Sequence, residues 1–269
     1  MDTILLLKAL LMGIVEGATE FLPVSSTGHL ILLGDLINFE AHGNVFEIVI
    51  QAGSILAVIL LYFQRLWQTF IGLPRDKVAQ HFALIVVLGF MPAMVLGYFL
   101  HDYIKTVLFS PMVVSFALIG GGIIMLKVEN MARTYQVRSL DDMPYSTALK
   151  IGFIQCIAMV PGVSRSGATI VGAMLLKVDR KTSAEYSFFL AIPTILAAAT
   201  YDLYKSRDSL VLDDIGLIAV GFVAAFVSAL VFIKAFMAII SRYSFRPSAW
   251  YRIILGSIML LWLLGQGAA

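Results

Sequence analysis

The chain alternates between long apolar blocks and short polar connectors. Six blocks, at about 46–63, 82–100, 111–127, 184–204, 214–235 and 250–265, are each long enough to cross about 30 Å of hydrocarbon as a helix. Their apolar residues run continuously instead of alternating by two, which argues against a transmembrane barrel. Tyr62, Trp67, Tyr98, Tyr103, Tyr201, Tyr204, Trp250 and Trp262 stand near the block edges, as an interfacial aromatic belt would. Two further stretches, about 3–37 and 148–177, are apolar at both ends and interrupted in the middle. The interruptions are Leu22-Pro23-Val24-Ser25-Ser26-Thr27-Gly28 and Pro161-Gly162-Val163-Ser164-Arg165-Ser166-Gly167. Proline, glycine and serine at that density stop a helix. Broken backbone at membrane depth survives only inside protein or along a polar cavity, so each stretch predicts a re-entrant helix–break–helix hairpin.

The two interrupted stretches are alike. A shift of 139 positions lays Gly13 on Gly152, Glu16 on Gln155, Val24 on Val163, Ser25 on Ser164, Thr27 on Ser166 and Gly28 on Gly167 without a gap. Each is followed by three apolar blocks, so the chain reads as one duplicated unit of a hairpin plus three helices. An odd number of spans per unit inverts the second copy. The expected fold is therefore an all-α polytopic membrane protein, 1–269 as a single integral membrane domain. Six transmembrane helices join two re-entrant hairpins in an inverted-topology repeat, repeat one about 3–127 and repeat two about 148–265.

Charge sets the expected orientation. Arg65, Arg75, Lys77, Arg133, Arg138, Lys150, Arg242, Arg246 and Arg252 lie in the connectors 64–81, 128–150 and 236–252, against Lys105, Lys205 and Arg207 in 38–45, 101–110 and 205–213. Nine basic residues against three place the first set in the cytoplasm and both termini outside. The two hairpins then enter from opposite sides, and their tips meet near the midplane, where inverted-repeat proteins build their sites.

Composition agrees. The chain is 60% hydrophobic and 13% charged, far from a soluble domain at about 45–50% and about 25%. Disorder, collagen, coiled coil and a disulfide scaffold are excluded. A net charge of +2 leaves no broad nucleic-acid footprint. With Asp2 in place of a basic start, and Glu16 and Glu20 in the first apolar run, the N-terminus reads as part of the fold instead of a signal peptide.

The chemistry concentrates at the two breaks. Glu16 and Glu20, spaced i, i+4, put two carboxylates on one helix face. In a membrane they repel and are costly to desolvate; a hard divalent cation such as Mg²⁺ or Ca²⁺ would resolve both problems. A protonated pair or a solvated helix end is the plainer alternative. Ser25, Ser26, Thr27 and His29 form a polar cluster in which Ser26 and His29 stand three apart, a nucleophile and a base, or a helix cap with a structural histidine. Arg165, at a helix start beside Ser164, Ser166 and Thr169, calls for an anion, since guanidinium takes phosphate oxygens in bidentate fashion. The alternative is an ion pair with Glu16 or Glu20. Gln155 mirrors Glu16 and is placed to bond across the pseudo-symmetry axis; Gln51 would line the cavity or pair two helices. Asp141 and Asp142 read as solvated, His42, His81 and His101 as surface, and Cys156 as packing. Together the breaks suggest a metal-assisted phosphate-ester or diphosphate site, open laterally to a lipid-tailed substrate.

The runs EGATEFLPVSSTGHL (16–30) and PGVSRSGAT (161–169), with FEIVIQAGSILAV (46–58) and LDDMPY (140–145), resemble the undecaprenyl-diphosphate phosphatases, the bacitracin-resistance membrane proteins. The resemblance covers nearly the whole chain. It implies hydrolysis of the terminal phosphate of undecaprenyl diphosphate, recycling of the carrier lipid for cell-wall synthesis, bacitracin resistance and a divalent cation. By motif, Glu16 and Glu20 would hold the metal or act as acid and base. Ser26 would attack or position the phosphate beside Ser25 and Thr27. His29 would be a base or, in a rival scheme, the nucleophile. Arg165 would grip the diphosphate with Ser164, Ser166 and Thr169. The expected setting is the bacterial inner membrane, with the site opening to the periplasmic side and membrane lipids and the polyprenyl diphosphate as partners; a homodimer is left open. A lipid-carrier flippase using the same midplane site is the alternative function.

Overall fold

The computed structural model describes residues 3–39, 45–131, 134–205, 215–240 and 243–266. Asp2, His42, Arg133, Arg207 and Arg242 lie outside them, as do the side chains of His101 and Lys105. Among the described residues the chain is helical, apart from one isolated bridge between Val137 and Val178.

Eleven α-helices follow one another: α1 (Thr3–Thr19), α2 (Ser26–Leu36), α3 (Val45–Leu61), α4 (Phe63–Gly72), α5 (Lys77–Tyr103), α6 (Pro111–Asn130), α7 (Tyr145–Gln155), α8 (Arg165–Leu175), α9 (Arg180–Lys205), α10 (Ile215–Ile240) and α11 (Arg246–Gln266). Five of them, α5, α6, α9, α10 and α11, are long and apolar enough to cross a membrane. The outer surface carries exposed Leu84, Val87 and Met91 on α5, Val223, Val227 and Val231 on α10, and Ile254, Ile258 and Leu261 on α11. Water would not tolerate so continuous an apolar exterior, whereas lipid requires it. The chain is a multi-pass membrane protein.

The block expected at 46–63 differs in detail. It forms α3, of 17 residues, and then bends by 73° into α4, so the pair makes at most a sixth span. The bend is physical: α4 carries Phe63, Trp67 and Phe70 on one exposed face, their rings stacked in series, while Arg65 reaches back to Asp141. An aromatic stripe of that kind suits the membrane–water interface. Asp141, expected to be solvated, is exposed and also pairs with Arg65. Tyr62 also leaves the aromatic belt, packing against Phe188 and Phe189 in the core. His81, read as surface, is partly buried against Tyr145, with ring centroids 4.8 Å apart.

Both interrupted stretches are helix–break–helix. The 139-residue shift carries α2 onto α8 end to end, and the pairings cross over: α1 packs on α10, α7 packs on α5, and α6 packs on α11. Gly13 and Gly152 do the same job at equivalent positions. A Cβ on Gly152 would stand 2.6 Å from the Gly89 carbonyl oxygen of α5, and one on Gly13 would run into the Gly221 carbonyl of α10. Only glycine lets these backbones meet so closely.

Arg252 overturns one charge assignment. Counted from the sequence as a connector charge, it is 1% exposed, in the interior of the bundle beside both breaks.

Candidate functional site

The two breaks meet face to face, and the same local geometry builds each tip. Ser25 sits at φ 72° and Ser164 at φ 73°, left-handed backbone that residues other than glycine rarely adopt. Each caps the helix that follows it. Ser25 Oγ accepts from the Gly28 N–H at 3.4 Å and Ser164 Oγ from the Gly167 N–H at 3.0 Å. α1 ends at Thr19 and the short 3-10 turn after α7 ends at Met159, ahead of Pro23-Val24 and Gly162-Val163. The starts of α2 and α8 are joined through Glu20.

Glu20 is the hub between the tips. It lies one residue past α1, buried, and its Oε1 accepts from Arg165 Nη2 at 2.8 Å while its Oε2 accepts from the Ser26 hydroxyl. Arg165 Nη1 donates to the Ser187 carbonyl at 2.9 Å, its Nε is buried without a partner, and its guanidinium stands 5.8 Å over the Phe21 ring. Both open readings of Arg165 therefore bear on one place. The ion pair with Glu20 is formed, and Arg165 also lines the cavity. Phe21, fully buried, is fixed edge-on by Phe188 at 5.5 Å.

Glu16 is one turn below Glu20, fully buried, with neither carboxylate oxygen bonded. A buried carboxylate without donors needs a proton or a cation. Among the described residues no three His, Cys, Asp or Glu side chains are placed to hold a metal. Mg²⁺ commonly takes one or two carboxylates and completes its shell with water and substrate phosphate. Two glutamates, one of them unsatisfied, fit that donor set.

Ser25, Ser26, Thr27, Ser164 and Arg165 join Glu20 on the wall of one cavity of about 460 Å³. Gln51 and Gln155 line it too, and Tyr98 and Tyr201, near each other at 6.1 Å, form part of its wall. The remainder is mostly apolar, with Phe90, Met94, Met159 and Ile195 beside Thr194 and Asp202. One end can neutralise an anion and the rest can hold a hydrocarbon chain.

Other expected site residues stand elsewhere. His29 does not meet Ser26. Its Nδ1 is 2.7 Å from the Ser25 carbonyl, which can only accept, so Nδ1 carries the hydrogen and Nε2 accepts from the Tyr251 hydroxyl at 2.6 Å. The His29 and Tyr251 rings also stack, 5.5 Å apart. Ser166 and Thr169 lie behind the cavity wall. Ser166 Oγ donates to the Leu22 carbonyl at 2.8 Å and Thr169 Oγ1 is 2.7 Å from Ser187 Oγ. Gln155 bonds the Gly89 carbonyl of α5 at 3.4 Å and makes no bond to Glu16. Sequence reasoning missed Ser187, Tyr251 and Arg252. A hydroxyl within the apolar block 184–204 was the available signal for Ser187. Tyr251 and Arg252 sit beside Trp250 and looked like an interfacial edge.

Comparison with known proteins gives a consistent result. Residues 9–258 match the family described as bacitracin resistance protein BacA. The chain is 50% identical over 263 residues to undecaprenyl-diphosphatase 1 of Agrobacterium fabrum, covering 97% of this chain and 98% of that protein. It is 52% identical over 263 residues to the undecaprenyl-diphosphatase of Acidovorax ebreus, 97% of this chain and 96% of that one. With the undecaprenyl-diphosphatase of Sphingopyxis alaskensis it shares 51% identity over 256 residues, 94% and 96% of the two chains.

Proposed function

The chain belongs to the bacitracin resistance protein BacA family, and we propose from that membership and from the joined breaks that it is an undecaprenyl-diphosphatase of the bacterial inner membrane. It hydrolyses undecaprenyl diphosphate to undecaprenyl phosphate and phosphate, which returns the carrier lipid to cell-wall synthesis and confers bacitracin resistance. The observation that carries the chemistry is Glu20 held between the Ser26 hydroxyl and the Arg165 guanidinium on the wall of a mostly apolar cavity.

The mechanism follows from those contacts. The diphosphate enters the cavity head first, its tail along Phe90, Met94 and Ile195. Arg165 turns its fork to the terminal phosphate and draws charge off it. Glu20 takes the proton of Ser26, and Ser26 Oγ attacks the terminal phosphorus in line. The bond from that phosphorus to the bridging oxygen breaks, and the oxygen leaves with its electron pair as undecaprenyl phosphate. Glu20 gives the proton it took to the departing phosphate; water then attacks the phosphoserine and passes a proton to the freed Glu20 carboxylate, which returns it to Ser26 Oγ as the Oγ–phosphorus bond breaks and phosphate leaves. His29, tied to Ser25 and Tyr251, orients the start of α2 in this scheme. Ser25, Thr27 and Ser164 contribute hydroxyls at the wall, and Ser166 and Thr169 support the tip behind Arg165.

A divalent cation, Mg²⁺ or Ca²⁺, completes the reading, held by Glu16 and one Glu20 oxygen. When bound, it would neutralise charge on the diphosphate oxygens. The unpartnered Glu16 carboxylate supports this.

The same reading covers topology. At 11 residues each, α2 and α8 are about 16 Å long, half of the hydrocarbon thickness, as re-entrant arms should be. The crossed pairings of α1 with α10 and α7 with α5 support two interlocking inverted repeats with their tips near the midplane. Without Arg252, the basic residues still favour the 64–81, 128–150 and 236–252 connectors as cytoplasmic, with the cavity opening outward.

The test is phosphate release from undecaprenyl diphosphate by the purified protein in detergent. Release is expected with Mg²⁺ or Ca²⁺, to fall at least about tenfold with chelator and to return on adding the cation. Undiminished release in excess chelator would remove the cation from the account.

A further inference from the structure

Among the described residues Arg252 is the largest side chain buried almost completely, and no carboxylate among them pairs with it. Its donors go to four backbone carbonyls. Nη1 reaches Pro23 O at 3.4 Å; Nη2 reaches Gly162 O at 3.0 Å and Ala117 O at 3.2 Å; Nε reaches Leu118 O at 3.4 Å. Pro23 and Gly162 are 139 positions apart, the equivalent residues of the two breaks. A single guanidinium on α11 thus grips the same carbonyl in each.

That contact resolves a problem the breaks create. Where a helix stops inside a membrane, its carbonyls lose their N–H partners, and leaving one unsatisfied there is costly. One planar fork with five donors serves both breaks at a fixed separation, which a lysine, with its donors on one nitrogen, cannot do. The sequence makes room for it. A Cβ on Gly121 of α6 would run into Nη2, and one on Gly167 would stand 2.9 Å from Nη1. One residue of α11 thus performs a task shared by both breaks.

Resting on the diphosphatase reading above, we infer that Arg252 is a positioning residue that sets the distance between the two tips. Ser26 and Glu20 belong to the first tip and Arg165 to the second. Arg252 lies outside the cavity wall and acts through the backbone of both. The remaining ties, Arg165 to Glu20 and Ser166 to the Leu22 carbonyl, keep the tips in contact when Arg252 is lost but leave their relative placement loose. Displacing an attacking group by about 1 Å can cost about 10²-fold in rate without weakening binding. The effect belongs in kcat.

The test uses the full chain in detergent, with wild type, Arg252→Lys, Arg252→Gln, Gly121→Ala and the Gly121→Ala/Arg252→Gln double variant. kcat and KM for undecaprenyl diphosphate are measured per folded molecule, with the thermal unfolding midpoint taken on each preparation. Gly121→Ala keeps the arginine but pushes its head group away, and alanine favours the α6 helix itself. We expect Gly121→Ala and Arg252→Lys each to lower kcat by about 10- to 100-fold with KM within about threefold. In the Arg252→Gln background Gly121→Ala should have no further effect on kcat. If Arg252→Gln does not fold, Gly121→Ala and Arg252→Lys decide between them. Wild-type kcat per folded molecule in those two variants, or equal fold-losses from Gly121→Ala with and without Arg252, would overturn the inference. A wild type that releases no phosphate would instead overturn the diphosphatase reading.

Discussion

Arg165→Ala is expected to lower kcat/KM for undecaprenyl diphosphate by about 10³-fold or more, in line with other arginines that stabilise a transferring phosphoryl group. That corresponds to about 4 kcal/mol of transition-state stabilisation. The variant also exposes a confounding effect. In wild type the Arg165 and Glu20 side chains are 12% and 8% exposed, paired at 2.8 Å. Removing one member of such a pair leaves an uncompensated buried charge, worth about 3–5 kcal/mol of stability. Arg165→Lys separates the two effects. It retains the charge beside Glu20, so most of the stability should survive, but it loses the fork that spans phosphate oxygens. Activity assayed on the folded fraction should therefore fall by about 10²-fold in the lysine variant, with an unfolding midpoint close to wild type. Wild-type kcat/KM in Arg165→Lys would show that only the charge matters and would remove the bidentate grip from the mechanism.

Ser26→Ala is expected to lower phosphate release by about 10⁴-fold or more if Ser26 is the nucleophile, because no other hydroxyl is bonded to Glu20 among the described residues. The stability cost should be modest. Glu20 Oε2 loses one donor, about 1–3 kcal/mol, while Ser25 still caps α2 through the Gly28 N–H. The two serines divide their tasks in this way: the residue with left-handed backbone caps, and the next one reacts. Rapid quenching of wild type with substrate labelled in the terminal phosphate should leave label on Ser26 and none on Ser25. Activity of Ser26→Ala within about tenfold of wild type would replace the covalent step by direct attack of water, with Glu20 as base and Arg165 unchanged in role.

The residues that the sequence made legible are those that contradict their surroundings. Glu16, Glu20 and Arg165 are ionisable in apolar stretches, and Pro23, Ser25, Pro161 and Ser164 break helices where a membrane tolerates few breaks. The 139-residue repeat tied the two breaks together before any helix was placed. What stayed hidden depends on which helices cross. His29 is three residues from Ser26, yet its ring turns to Tyr251 because α11 lies against that side of α2. Arg252 and Trp67 sit similarly beside apolar segments, but the packing of α11 on α6 buries the first while the bend after α3 leaves the second exposed. Ser187 is one hydroxyl in an apolar block, and only the packing of α8 on α9 brings it to Arg165. Gln155 follows the same logic: the repeat aligned it with Glu16, whereas the glycine contact between α7 and α5 puts its amide within reach of Gly89.

The most direct test of the joined site is Glu20→Gln beside wild type, with substrate binding and phosphate release measured on the same purified preparations. Glutamine keeps the shape of Glu20 but cannot take the Ser26 proton or pair with Arg165 as a charge. The account predicts one phosphate released per undecaprenyl diphosphate by wild type, and release lower by at least about 10³-fold from a Glu20→Gln protein that still binds the lipid. Release at the wild-type rate from Glu20→Gln would contradict the catalytic hub, and lipid binding with no release from wild type would turn the two breaks into the gate of a lipid transporter.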